Sequence, residues 1–326
     1  MKDDTIIVCG AGGFVGGNLV RFLEEKEYTR IRAIDVKPQD QWFQISDTAD
    51  NLVLNLESID NCRRVVDGAR WVFNLAANMG GIGFIEGNKR ACMLSVLVNT
   101  HLLMASEEAE VERFFFSSSA CVYNNEKQKD TSSLALRESD AYPALPQDGY
   151  GWEKLFSERL CGHYSSESDL ITRVARYHNT FGPFGAFVGG REKAPAAICR
   201  KIIEAKINGT SEIEIWGTGE QERSFTYIDD CLEGTYQIIQ HPDLDFPVNL
   251  GSSERVSINT LVDMVEEIAG IKMTRRYLLD APIGVKGRNS DNSLIKQHLD
   301  WEPSIPLAHG LEKTYEWIYN CIKRTS

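Results

Sequence analysis

The 326-residue chain has no excess of positive charge: 35 lysines and arginines stand against 47 aspartates and glutamates, a formal charge of −12. That balance argues against general affinity for nucleic acid or an anionic membrane, so a phosphate-bearing ligand must be held by local groups. The chain lacks an opening charged region followed by an apolar one, and it lacks any apolar run near the ~20 residues that span a bilayer. The expectation is a soluble, cytoplasmic protein without a membrane partner. Paired cysteines are also missing. Cys9, Cys62, Cys92, Cys121, Cys161, Cys199, Cys231 and Cys321 show no CxxC and no metal-ligand spacing, which predicts reduced thiols, no bridges and no bound metal. No repeats or low-complexity tracts interrupt the amino-terminal half. The length leaves open one large α/β unit or two lobes, since domains usually run ~100–200 residues.

What is present centres on Phe114-Phe115-Phe116-Ser117-Ser118-Ser119-Ala120-Cys121-Val122-Tyr123, an aromatic run that ends in three hydroxyls and a thiol. A strand enclosed in a parallel sheet stays apolar, and ligands bind beyond the carboxyl ends of such strands. The change from Phe to Ser and Cys therefore reads as emergence into a site. Were the chain extended throughout, Ser117, Ser119 and Cys121 would share one face. The plainer alternative is a Ser-rich loop after a core strand, with one buried cysteine.

The amino-terminal segment supplies context. Thr5-Ile6-Ile7-Val8-Cys9 reads as a strand, Gly10-x-x-Gly13-x-x-Gly16 as a glycine turn, and Asn18 to Leu23 as a helix. Glycines there let backbone amides at a helix start approach a pyrophosphate, the mechanics of a dinucleotide fingerprint. Phe14 and Val15 lie within that turn. A second strand, Ile31 to Ile34, ends in Asp35, a carboxylate suited to a ribose diol and repulsive to a 2′-phosphate, which favours NAD over NADP. Further strands at Asn51–Leu56 and Trp71–Ala77, with a helix from Ser58 to Asp67 between them, predict a parallel, doubly wound α/β sheet of Rossmann type. Asn55 and Leu56 would sit near an adenine, and Asn74 to Asn78 near a nicotinamide. Met79 to Gly83 reads as a pliant loop before a long helix, Asn88 to Glu110. Tyr150-x-x-x-Lys154 opens another helix and stacks the two side chains a turn apart, where a positive charge would lower the phenol's pKa.

These motifs, with Asn74-Leu75-Ala76-Ala77 and Arg176-x-x-Asn179-x-x-Gly182-Pro183, resemble the extended short-chain dehydrogenase/reductase family over essentially the whole chain. The resemblance implies NAD held by Gly10, Gly13, Phe14, Val15, Gly16, Asp35, Asn55, Leu56, Leu75, Ala76 and Ala77. It makes Tyr150 the acid/base on a sugar hydroxyl, Lys154 its helper at the nicotinamide ribose, and Ser119 a partner of the same oxygen. It also implies a smaller, discontinuous α/β substrate lobe, about 179–225 and 253–326, beside an NAD-binding domain of 1–178 and about 226–252. A homodimer through the helices at Asn88–Glu110 and Tyr150–Tyr164 would follow.

A narrower resemblance, to the family of GDP-mannose 3,5-epimerases, rests on Gly189-Gly190-Arg191-Glu192-Lys193-Ala194-Pro195, Ser119-Ala120-Cys121, Met79 to Ile85 and Gly287 to Asn292. It implies that C4 of a GDP-hexose is oxidised transiently. Cys121 and Lys193, on opposite ring faces, would then exchange protons at C3 and C5, giving GDP-L-galactose from GDP-D-mannose, or GDP-L-gulose by C5 inversion alone. Gly80, Ser119, Ala120, Asn179, Glu192, Ala194, Lys201, Arg223, Ser224, Phe225 and Arg288 would contact the nucleotide sugar, with Arg223 and Arg288 on its diphosphate because guanidinium pairs phosphate bidentately. Asn55 and Asn78 depart from the family's frequent aspartates. Left open are a 4-epimerase, a 5-epimerase, a dehydratase, and a non-enzymatic NAD-binding regulator.

Overall fold

The computed structural model describes residues 2–129 and 135–325. Strand and helix alternate as the hydrophobic pattern predicts. The first half runs β1 (Thr5–Cys9), α1 (Phe14–Glu25), β2 (Arg30–Asp35), β3 (Asp50–Val53), α2 (Ile59–Val66) and β4 (Ala69–Asn74). Then come α3 (Ile82–Gly87), α4 (Lys89–Met93), α5 (Ser95–Glu108), β5 (Arg113–Ser119), α6 (Asp148–Glu167) and β6 (Ile171–Tyr177). The second half begins with β7 (Thr180–Phe181), α7 (Ala194–Asn208), β8 (Glu212–Trp216), β9 (Glu222–Ser224), β10 (Thr226–Tyr227) and α8 (Ile228–Gln240). It ends with β11 (Val248–Leu250), β12 (Arg255–Ser257), α9 (Ile258–Ala269), β13 (Thr274–Leu278), β14 (Gly287–Arg288), α10 (Ser293–Leu299) and α11 (Leu307–Thr325).

Seven strands form one parallel sheet in the order β11-β6-β5-β4-β1-β2-β3. Side chains alternate between its faces, so Ile6 and Val8 join one core while Ile7 and Cys9 join the other. The Phe run divides the same way: Phe115 lies on the first face, and Phe114 and Phe116 on the second. A strand buried on both sides needs apolar residues, which is why β1 and the Phe114–Phe116 part of β5 read as continuous hydrophobic runs. Strand order reverses between β1 and β4, and a crevice opens there beyond their carboxyl ends. α7, α9 and α11 pack together with the strand pair β8·β13 and the three-stranded sheet β12·β9·β14 into the rest of the molecule. β11 returns to the large sheet beside β6, and α8 packs against α1.

Three local expectations are corrected. The helix expected from Asn88 to Glu110 is two pieces, α4 and α5, and a further piece, α3, precedes them from Ile82, inside the stretch read as a loop. Asn88 ends that piece: its backbone leaves the helical region, its N–H donates to Ile85 O, and its Nδ2 donates to Phe84 O at 2.9 Å. Side-chain capping of orphan carbonyls stops the helix. The strand expected over Asn51–Leu56 ends at Val53. The chain does not stay extended to Cys121 either, because it turns into a 3-10 segment at Ala120–Val122 directly after β5.

Candidate active site

A cavity of about 790 Å³ occupies the crevice beyond β1 and β4. The glycine turn forms its floor. Gly10 has φ +85°, and a Cβ there would lie 2.9 Å from Ala76 N; a Cβ on Gly16 would lie 2.1 Å from Gly10 O. Only glycine permits that approach, and it puts α1's first turn, with no side-chain cap, at the cavity. Uncapped amides at a helix N-terminus suit a pyrophosphate. Asp35, at the end of β2, is buried against the cavity and accepts from Lys37 N at 2.9 Å. Asn55, Leu56, Leu75, Ala76 and Ala77 line the same wall. These residues fit a dinucleotide.

The reactive side chains converge at the other end. Ser119, Tyr150, Lys154, Lys193 and Gly80 all line the cavity. The 3-10 turn after β5 brings Cys121 beside them. Ser119 Oγ accepts from Cys121 N at 3.2 Å, and Cys121 O accepts from Gln147 N at 3.0 Å. A Cβ on Gly151 would fall 2.3 Å from that same carbonyl, so glycine lets α6 lie directly on the turn. Tyr150, one residue earlier on α6, packs with Cys121, Ile85 and Cys92.

Burial raises Tyr150 well above the usual phenol range; Cys121 and Glu153 add to the shift, and a hydrogen bond with Ser119 opposes it. The expected lowering by Lys154 therefore does not dominate. Lys154 is itself buried: its Nζ lies 3.8 Å from Glu153 Oε2 and 4.5 Å from the centre of the Phe116 ring. Lys193 is lowered by desolvation, with Cys121 and Cys231 acting the other way. Cys121 is half-buried and free. The Cys121 thiol thus lies within electrostatic reach of both the Tyr150 phenol and the Lys193 amine.

Beyond Cys121, two arginines meet. Arg288 is buried and donates to Gln128 Oε1 at 2.6 Å, Gln147 Oε1 at 3.1 Å and Cys121 Sγ at 3.6 Å. Arg223 donates to Glu222 O, Ile283 O and Val285 O. Burial and then Arg288 push its pKa down. Two desolvated cations side by side disfavour each other and favour an anion between them. Of the other residues expected to touch a nucleotide sugar, none lines the cavity. Asn179 Nδ2 donates to Ser224 O, Glu192 sits 3.6 Å from Arg200, and Lys201 Nζ donates to Glu214 O at 2.7 Å. Ala120 and Phe225 are core residues, Ala194 opens α7, and Ser224 is buried with its hydroxyl unpartnered. Arg191 received no role from the sequence, yet it lines the cavity and donates to Met79 O and Asn78 Oδ1, both at 3.2 Å. Ser95, which also lines it, accepts from Asn78 N. Among the described residues no cluster of His, Cys, Asp or Glu could hold a metal ion, and no helix is long and apolar enough to cross a membrane.

Known proteins resemble this chain in sequence and in fold. A sequence profile of the NAD dependent epimerase/dehydratase family matches residues 6–251. GDP-mannose 3,5-epimerase of Arabidopsis thaliana is 42% identical over 320 residues, spanning 98% of this chain and 83% of that protein. A UDP-glucose 4-epimerase from Thermotoga maritima, solved with UDP-glucose, superposes with a TM-score of 0.87 at 23% identity over 98% of this chain and 99% of its own. MoeE5, solved with UDP-glucose and NAD, gives a TM-score of 0.82 at 26% identity over 98% and 99%.

Proposed function

The chain belongs to the NAD dependent epimerase/dehydratase family, and from that premise we propose that it inverts C3 and C5 of a GDP-hexose, converting GDP-D-mannose to GDP-L-galactose. GDP-L-gulose would form where C5 alone inverts. One observation carries the reading: a buried tyrosine and a desolvated amine line the cavity, and a half-buried thiol stands within electrostatic reach of each.

NAD, when bound, supplies a reversible hydride acceptor, and its oxidised ring carries the positive charge that brings a buried phenol's pKa down. Tyr150, with Ser119 on the same oxygen, takes the proton of the C4 hydroxyl as C4 becomes a carbonyl and returns it at the end. Hydrogens at C3 and C5 then become acidic. A C–H bond breaks, its proton passes to Cys121 or Lys193, and its electron pair moves into an enolate at the C4 oxygen. Protonation by the other group, from the opposite ring face, inverts the carbon. Positioned acid/base groups contribute ~10²–10⁴-fold to such steps. Arg223 and Arg288 are assigned the diphosphate, their mutual repulsion supporting an anion there. We further assign a homodimer, supported by the exposed Met93, Leu94, Leu97, Trp152 and Phe156 on or beside α4, α5 and α6, and a reducing, cytoplasmic setting, supported by cysteines that form no disulfide bridge.

Incubation with GDP-mannose in deuterium oxide tests the chemistry. Deuterium should enter at C3 and C5. Cys121→Ala and Lys193→Ala should each slow entry about 10²–10⁴-fold without loss of bound NAD. C4 inversion with no label would replace this reading with a 4-epimerase.

A further inference from the structure

Lys193 reaches the cavity on a segment that has little packing of its own. Gly189 and Gly190 precede it with φ of +89° and +79°, and a Cβ on either would meet nothing within 4 Å. Val188, before them, is 55% exposed. A chain of this kind is a hinge, and it does not by itself hold an amine in one place.

The other end of the segment is tied down, chiefly by the loop that follows β4, with Glu192 also 3.6 Å from Arg200 of α7. Gly81 N donates to Arg191 O at 3.1 Å. Two nitrogens of the Arg191 guanidinium donate to Met79 O and Asn78 Oδ1, both at 3.2 Å. Its guanidinium carbon lies 3.9 Å from the centre of the Phe84 ring. Glu192 O stands only 2.6 Å from where a Cβ on Gly81 would be, so the two backbones touch because that position is glycine. Asn78, Met79, Arg191 and Lys193 all line the cavity.

From these contacts we infer that Arg191 is a positioning residue: it straps the segment 189–193 across the loop 78–81 and thereby sets where the Lys193 amine stands. The inference rests on the proposed role of Lys193 in proton transfer. Proton transfer tolerates little misplacement, and an error of about 1 Å can cost about 10²-fold. The strap requires arginine. Its planar fork serves two acceptors while stacking on an aromatic ring, and the point charge of lysine on a flexible stem does not reproduce that combination. Lys193 follows the strap by two residues and is the N-cap of α7, so the strap and the helix start hold it from both sides.

The test compares wild type, Arg191→Ala and Arg191→Lys as full-length, NAD-loaded proteins supplied with GDP-mannose in deuterium oxide. Label entry at C3 and C5 should fall about 10–100-fold in both variants, through kcat and not KM. NAD content, thermal midpoint and the transient near-ultraviolet absorbance of reduced nicotinamide on adding GDP-mannose should be retained. Hydrogen–deuterium exchange of backbone amides in 187–193 should quicken in both variants, a readout independent of turnover. Label entry at the wild-type rate in either variant would overturn the inference. So would a joint loss of NAD and thermal midpoint, which marks a structural role alone. Wild-type protein that takes up no label would overturn the functional reading itself, and the strap with it.

Discussion

Desolvation disfavours whichever form of a side chain carries charge, so burial at this site raises Tyr150 and lowers Lys193, bringing an acid and a base towards each other. The half-buried Cys121 thiol beside them completes a set of groups able to give and take protons. The same physics acts on a residue outside the chemistry. His178 is fully buried, and desolvation lowers its pKa from 6.5 to about 3. Asn249 Nδ2 donates to Leu136 O and Asp291 O, so its Oδ1 is the acceptor and His178 Nε2 carries the proton across their 3.0 Å contact. Nδ1 is left buried without a partner. The unfolded chain would protonate this imidazole near 6.5 while the folded chain resists until about 3. Between those values the unfolded state binds more protons, so stability is present above the window and drains away as pH falls through it, by up to ~1.4 kcal/mol per pH unit. Denaturant unfolding across that window should show this slope, and His178→Gln should flatten it. An unchanged slope in the variant would assign the acid loss to other groups.

At the scale of elements, the turn between β1 and α1 does the most with the least freedom. A methyl group at residue 16 would collide with Gly10 O at 2.1 Å, and overpacking of this kind costs ~1–3 kcal/mol. If the cost falls on the NAD-binding geometry, Gly16→Ala should weaken NAD binding about 5–150-fold, read as NAD content after purification and as the thermal shift on adding NAD. Full NAD content in that variant would remove the turn from the cofactor site. α6 serves the site from the opposite side. Arg176 of β6 forks onto Glu158 of α6 at 2.9 and 2.7 Å and donates to Glu138 O at 2.7 Å, which locks the helix bearing Tyr150 and Lys154 to the sheet. The Arg176 motif was legible in the sequence; its acceptor, on a helix ending before the strand begins, was not.

For the whole molecule, the apolar side chains left in water are the largest anomaly. Trp152 and Phe156 are 46% and 54% exposed on α6, and Met93 and Leu94 are 47% and 46% exposed nearby. Exposed apolar side chains clustered on neighbouring helices mark an interaction face. A self-complementary pair of such faces is the commonest soluble assembly. Sedimentation at micromolar concentration should give twice the chain mass, and the double variant Trp152→Glu, Phe156→Glu should give the monomer. A wild-type monomer would leave that face to another partner. A second long-range feature joins the ends of the chain. Trp317 of α11 meets Phe43, Phe184 and Phe187 at ring distances of 6.3, 5.4 and 5.4 Å, and Phe43, Gly185 and Ala186 line the cavity.

The sequence by itself determined the alternation of strand and helix, the glycine turn, the carboxylate ending β2, and the Tyr150–Lys154 pair. Each is decided by contacts within a few residues: periodicity, steric room for a Cβ, or one helical turn. Tertiary structure alone decided that Cys121 leaves its strand through a 3-10 turn, that Asn88 breaks a helix, and that Arg191 binds a loop more than a hundred positions earlier in the chain. It also brought Lys193 to Cys121 and Tyr150. Such meetings depend on where the sheet order reverses and where the second part of the chain folds back over it, and no local pattern of residues carries that information.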